Sequence, residues 1–187
     1  MVDLMRLPDA ALIAVRCAPA VLDVVDGALS DWPFPRDANR FATVGETTIV
    51  WTGPEDWLII AAATELSALL TRLEAQFAGH HAAVVDISGN RVRFQLSGSR
   101  ARAMMARACA LDLDPPHFRV GQCAGTVVAR TQAFVLQRDD APTYEILVRR
   151  SYARYLSDWF DTAGKGVSED SGVQLFQGSG AILPHLA

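Results

Sequence analysis

The sequence predicts an α+β fold of two tandem ferredoxin-like halves with mainly antiparallel sheets, and three observations carry that expectation. Strand-type and helix-type runs follow one another as strand–helix–strand–strand–helix–strand, the split βαβ order. A similar order starts again near residue 89, so the chain reads as two related halves. Half of the 187 residues are hydrophobic and 20% are charged, which suits one full core but not two ordinary domains.

The first strand signal is Ala11-Leu12-Ile13-Ala14-Val15, ended by Cys17-Ala18-Pro19. A helical face follows with Val21, Leu22, Val25 and Leu29, closed by the prolines of Trp32-Pro33-Phe34-Pro35. Thr47-Thr48-Ile49-Val50-Trp51 is β-branched and aromatic, and Trp57-Leu58-Ile59-Ile60 returns from a Gly53-Pro54 turn as the second arm of a hairpin. Thr64 is placed to cap a helix whose face carries Leu66, Leu69, Leu70, Leu73 and Phe77, and Gly79 suits its left-handed C-terminus. Ala82-Ala83-Val84-Val85-Asp86-Ile87 completes the first half as a strand.

In the second half Val92, Phe94 and Leu96 alternate with Arg91, Arg93 and Gln95, a strand with one wet face. Ser99 is placed to cap a short helix that turns Ala101, Met104, Met105 and Ala108 inward. A loop with Pro115-Pro116 leads to strands at Thr126-Val127-Val128-Ala129, Ala133-Phe134-Val135-Leu136 and Tyr144-Glu145-Ile146-Leu147-Val148. Ser151 opens the last helix, whose stripe is Tyr152, Tyr155, Leu156, Trp159, Phe160 and Ala163. The expected organisation is an N-terminal extension over 1–10, a single unit over 11–163 with halves of about 11–88 and 89–163, and a flexible tail over 164–187 in which Val173, Leu175 and Phe176 could dock.

A net charge of −4 argues against general nucleic-acid binding, which depends on clustered Lys and Arg. No apolar run approaches the ~18 residues of a membrane span, and the first residues lack a secretory pattern. Cys17, Cys109 and Cys123 have no CxxC spacing and read as reduced core thiols of a cytoplasmic protein.

Residues that could carry chemistry each meet a plainer reading. His80, His81, His117 and His185 stand at no metal-ligand spacing, so no metal site is expected. Ser88-Gly89, Ser97-Gly98 and Ser179-Gly180 lack the GxSxG elbow of a serine nucleophile. Leu96-Ser97-Gly98-Ser99-Arg100 could present an anion-binding helix N-terminus, with Arg102 nearby, but one glycine makes ordinary capping the better account. Asp112 and Asp114 alternate in a loop, and Asp86 ends an apolar strand, where it should accept backbone hydrogen bonds from Ser88-Gly89-Asn90. Trp32, Phe34, Trp51 and Trp57 gather around loops and a hairpin, suiting core packing or interface anchors. No catalytic, cofactor-binding or metal residue is nominated. Those four aromatics are the candidate interface.

Several blocks resemble one family. Trp51-Thr52-Gly53-Pro54-Glu55-Asp56-Trp57-Leu58 is similar to a W-x-G-P-D/E-E/D-W-L segment of sarcosine oxidase gamma subunits. Val84-Val85-Asp86-Ile87-Ser88, then Arg91 and Leu96-Ser97-Gly98-Ser99-Arg100-Ala101-Arg102, also resemble that family. So do the segment beginning Cys109-Ala110-Leu111-Asp112, the Phe118-x-x-Gly121-Gln122-Cys123-Ala124 block, and the segment from Tyr144 through Arg149-Arg150-Ser151 to Leu156. The resemblance covers residues 12–163 and implies a fold like the folate-binding domains of aminomethyltransferases.

It further implies a non-catalytic subunit of a cytoplasmic, heterotetrameric, flavin-dependent oxidase. That complex demethylates sarcosine to glycine, giving hydrogen peroxide and a one-carbon unit. The implied partners are the alpha, beta and delta subunits. FAD, FMN, NAD, zinc and tetrahydrofolate sit on those subunits and no cofactor on this one. Nucleic acid and membrane are not expected as partners, and self-association of the isolated chain remains open. The alternatives are a stand-alone folate-binding one-carbon protein, with Asp86 as the carboxylate for the pterin, and a homo-oligomeric scaffold assembled through the tryptophan-rich hairpin.

Overall fold

Residues 2–25, 29 and 32–169 are described by a computed structural model, with side chains described through residue 164. The strands are β1 (Asp3–Arg6), β2 (Ala10–Cys17), β3 (Phe41–Val44), β4 (Thr47–Gly53), β5 (Asp56–Ala62), β6 (Ala82–Asp86), β7 (Arg91–Ser97), β8 (Cys123–Val128), β9 (Thr131–Asp139) and β10 (Thr143–Arg149). The helices are α1 (Pro19–Val25), α2 (Leu66–Phe77), α3 (Ala101–Ala108) and α4 (Ala153–Glu169). The strands form two five-stranded sheets, ordered β3-β4-β5-β2-β6 and β1-β7-β10-β9-β8, and every strand pairing among the described residues is antiparallel. The α+β expectation holds.

Period-two alternation makes a sheet that buries both faces, and this chain uses it to build four layers. On β2, Ile13, Val15 and Cys17 join Leu22, Val25, Leu73 and Phe77 beneath α1 and α2. Ala10 and Leu12, which point to the opposite face of β2, join Val50, Leu58, Ile60, Cys123, Leu136 and Leu147 in a layer between the sheets. On the far face of the second sheet Val92, Phe94, Leu96, Tyr144, Ile146 and Val148 pack against Met104, Met105, Leu156 and Phe160 of α3 and α4. The order of layers is therefore helices, sheet, sheet, helices. At one margin the sheets are sewn together by backbone bonds from Phe41 N to Gly121 O (3.0 Å) and from Cys123 N to Asn39 O (2.9 Å).

Several local expectations change. β1 falls within the expected N-terminal extension, yet pairs with β7 from Asp3↔Ser97 to Arg6↔Phe94. β3 is a second strand that the residue pattern did not mark; both are four residues long and lie at sheet edges, too short for a periodic signal. Thr64 and Ser151 do not cap α2 and α4, because each lies inside a 3₁₀ turn, Ala63–Glu65 and Arg150–Tyr152, that leads into the helix. That turn satisfies the first amides through i→i+3 backbone bonds instead. Ser99 likewise precedes α3 by two positions, with Arg100 at the N-cap and no side-chain cap bond. Gly79 does adopt φ +80 just after α2, the left-handed conformation expected there. Tyr152 and Tyr155 are exposed, so the buried stripe of α4 narrows to Leu156 and Phe160, flanked by half-buried Trp159 and Ala163. The backbone of α4 continues past Gly164 to Glu169. Val173, Leu175, Phe176, Ser179, Gly180 and His185 lie outside the described residues.

Candidate functional site

The wet face expected for β7 turns inward, toward the first sheet. Leu147 stands between Arg93 and Phe134 in the ladder, and Glu145 between Gln95 and Leu136, so charged groups flank the apolar layer between the sheets. The Glu145 side chain is 5% exposed and carries two arginines. Arg93 Nη1 donates to Oε1 at 3.2 Å, and Arg138 Nε donates to Oε2 at 2.7 Å, with Arg138 Nη2 on the same oxygen. Arg138 also donates to Thr48 Oγ1 (3.0 Å) across the sheet interface and lies over the Phe41 ring, while Arg93 reaches the Pro8 carbonyl (3.2 Å). Pro8, Thr48, Arg93, Arg138 and Glu145 line a groove of ≈ 630 Å³ that also takes in Asp9, Glu46 and Gln95. A single buried carboxylate on β10 holds guanidiniums from β7 and β9 of the same sheet, and Arg138, so positioned, reaches Thr48 of the first sheet. Its oxygens are committed to those guanidiniums, which suits structure better than proton transfer.

The residue pattern did not mark this cluster. The available signal was Glu145 itself, a carboxylate in the middle of the apolar run Tyr144–Val148, which burial allows only with partners.

Asp86, the carboxylate offered for a pterin, lies exposed at the end of β6. Its Oδ1 accepts from Ser88 N (2.9 Å) and Ser88 Oγ (2.6 Å), and Ser88 Oγ in turn accepts the Leu12 amide (2.9 Å). The backbone hydrogen bond expected from the following turn is present, and the hydroxyl adds a bridge to β2. The Ser88 hydroxyl, and then its amide, hold the Asp86 carboxyl below the usual carboxylate range. A depressed folded value means that this contribution is complete above the unfolded value near ~3.9 and fades as pH falls through the folded one. Ser88→Ala should orphan the Leu12 amide and cost about 1–2 kcal/mol in urea unfolding. It should also raise the Asp86 pKa, as read by NMR titration. A Ser88→Ala chain with wild-type stability and an unmoved Asp86 titration would refute the bridge.

His117 and Asp112 pair across an exposed loop, where the Asp114 amide is the first of the groups that hold the Asp112 carboxyl low. Among the described residues no three His, Cys, Asp or Glu side chains gather at a common metal position. All three thiols are buried. Burial pushes Cys17 and Cys109 up and Cys123 up to about 12; its Sγ lies at the sheet seam, 3.3 Å from the Arg40 carbonyl. An aromatic disulfide reagent at pH 8 should therefore modify no cysteine on the folded chain and all three after unfolding. Rapid labelling of the folded chain would contradict this burial.

The four aromatics have different surroundings. Trp32, Phe34 and Trp57 are buried beneath α1 and α2, with Arg72 stacked over Trp32 (4.6 Å). Phe34 meets the Trp57 ring edge-on at 6.0 Å, and Trp57 Nε1 donates to the Pro35 carbonyl at 2.9 Å. Trp51, opposite Trp57 in the ladder, is half-buried.

Residues 17–166 match the model of the "sarcosine oxidase, gamma subunit family". The chain is 32% identical over 116 residues to the sarcosine oxidase subunit gamma of Corynebacterium sp. (strain U-96), a match spanning 62% of this chain and 55% of that relative. This chain thus aligns with just over half of that relative's length. Its fold superposes on a chain of the heterotetrameric sarcosine oxidase from Corynebacterium sp. U-96 with TM-score 0.79 and 26% identity, covering 93% of this chain and 87% of the other. The glycine cleavage system aminomethyltransferase T of Bartonella henselae shares the fold at TM-score 0.62 and 20% identity, over 87% of this chain and 46% of that protein.

Proposed function

Because this chain belongs to the sarcosine oxidase gamma subunit family, we propose that it is the gamma subunit of a heterotetrameric, flavin-dependent sarcosine oxidase and serves its assembly and stability rather than its chemistry. The observation that carries this reading is the likeness along 93% of the chain to a chain of such an assembly. The committed roles of its polar residues support it. Glu145 ties together three strands of the second sheet, Asp86 closes a turn, and the thiols sit in apolar layers.

In this reading the alpha, beta and delta subunits are the partners in the cytoplasm. They hold the FAD, FMN, NAD and zinc and handle tetrahydrofolate. The unit over residues 11–163 is the folate-domain-like body. Of the four aromatics, Trp51 keeps ring area for a neighbouring subunit, and that hairpin is part of the proposed contact.

The test is co-expression of the tagged chain with the other subunits of its own oxidase. Flavin-coloured larger subunits should co-purify in a fixed ratio, and the assembly should produce peroxide from sarcosine. The tagged chain alone should show neither flavin absorbance nor saturable binding of tetrahydrofolate by calorimetry. A chain that never retains flavin subunits, or that binds tetrahydrofolate at micromolar concentration by itself, would overturn the reading.

A further inference from the structure

The inner face of the second sheet extends beyond the part that the first sheet covers. Cys123, Leu136 and Leu147 pack in the layer between the sheets. Further along the strands, Arg91 on β7 stands directly opposite Arg149 on β10, and Gln132 on β9 stands opposite Val127 on the edge strand β8. All four border a cavity of ≈ 560 Å³ with Phe134 in its wall.

Two like charges facing each other across a ladder are destabilising. Neither arginine meets a carboxylate within ion-pair distance among the described residues. Burial, and then the Arg149 charge, pull the Arg91 guanidinium below its ordinary value. The Arg91 guanidinium lies 5.6 Å from the centre of the Phe134 ring. A side chain at Gly125 would begin 3.3 Å from Phe134 Cζ, so glycine there leaves the ring its place. Val127 is 52% exposed on the same face. Arginine beside an aromatic ring, with apolar surface adjoining, is the composition of an interface centre.

We propose that this end of the second sheet, open among the described residues, docks a carboxylate-bearing segment of a partner subunit, the acidic side chain lying between Arg91 and Arg149 and its apolar neighbour resting on Phe134 and Val127. The proposal rests on the assembly reading above. Charge complementarity selects the occupant, because one carboxylate removes the arginine repulsion and can accept from both guanidiniums. Among the described residues the two charges have no carboxylate, and the assembly supplies one.

The test combines Arg91→Gln with Arg149→Gln and measures binding of the chain to the other subunits of its oxidase over a range of salt concentrations. The double variant should bind about 30-fold or more weakly, and with a flatter salt dependence, since removing one side of a desolvated ion pair acts mainly on dissociation. Its isolated Tm should stay equal to wild type or rise. Val127→Glu, an exposed change that offers the arginines an internal carboxylate, should weaken binding without touching them. Arg154→Gln, on a side chain 94% exposed on α4, is the control and should bind normally.

Double-variant and Val127→Glu chains that bind as wild type would overturn the proposal while leaving the assembly reading intact. A wild-type chain that joins no subunit would overturn both. An isolated wild-type chain that dimerises through this face, with dimerisation abolished in the double variant, would make a second copy the occupant and also overturn the proposal.

Discussion

Glu145→Ala should be the most damaging single polar substitution in this chain, lowering the unfolding free energy by about 3–5 kcal/mol. The side chain is 5% exposed, and its loss leaves Arg93 and Arg138 facing each other with 18% and 23% exposure. Two guanidiniums stripped of solvent and of their shared anion must then separate, and Arg138 loses the support that holds it on Thr48 of the first sheet. For a chain of this size the Tm should fall by about 10 °C. Glu145→Gln should cost less, because the amide oxygen still accepts one arginine. Replacing all three residues by apolar ones of similar volume should recover much of the loss, since a buried ion cluster costs desolvation that a packed apolar cluster avoids. Urea unfolding of the three variants checks the order. An alanine variant as stable as wild type would show that the cluster is solvated and carries no load.

Trp57→Ala should cost a similar amount, about 3–5 kcal/mol, for a different reason. The indole is 2% exposed, packs against Phe34 and hydrogen-bonds the Pro35 carbonyl. Removing it opens a cavity beneath α1 and α2 and frees the proline segment that closes that layer. Trp57→Phe should keep most of the packing and lose the hydrogen bond, at about 1 kcal/mol. Thermal unfolding separates these cases. If Trp57→Ala instead kept its Tm and lost only its ability to join other subunits, the ring would be an interface anchor and not a core residue.

The two variants also show how far residue patterns reach. Trp57 could be placed on a hairpin because Trp51 and Trp57 flank Gly53-Pro54, and the ladder does pair them. Whether their rings faced a partner or the core needed the position of α1, α2 and Phe34, which no local pattern contains. The alternation of Val92, Phe94 and Leu96 with Arg91, Arg93 and Gln95 marked a two-faced strand correctly. It could not say that the polar face looks toward another sheet, because Arg138, which bridges the two sheets, lies 90 residues from its partner Thr48. The β8–β9 turn was equally hidden. Ala129 and Arg130 take φ +46 and +66 without a glycine or asparagine, held by Thr131 Oγ1 on the Val128 carbonyl (2.8 Å) and by the Ala129 amide on the Ala108 carbonyl (2.8 Å).

By itself, then, the sequence determined the class of fold, the main strands and helices, the family resemblance and the turn role of Asp86. Each of these is written in residue type and spacing over a dozen positions or fewer, or in ordered blocks that need no contact to be read. Only the tertiary structure decided which polar faces became internal, how Arg138 of the Glu145 cluster reaches the first sheet, where β1 and β3 pair, and that Arg91 and Arg149 stand together with no carboxylate beside them among the described residues. Those are pairings between residues distant in the chain. Their energies come from burial and charge at the meeting of two sheets, and that meeting exists only once the chain has closed.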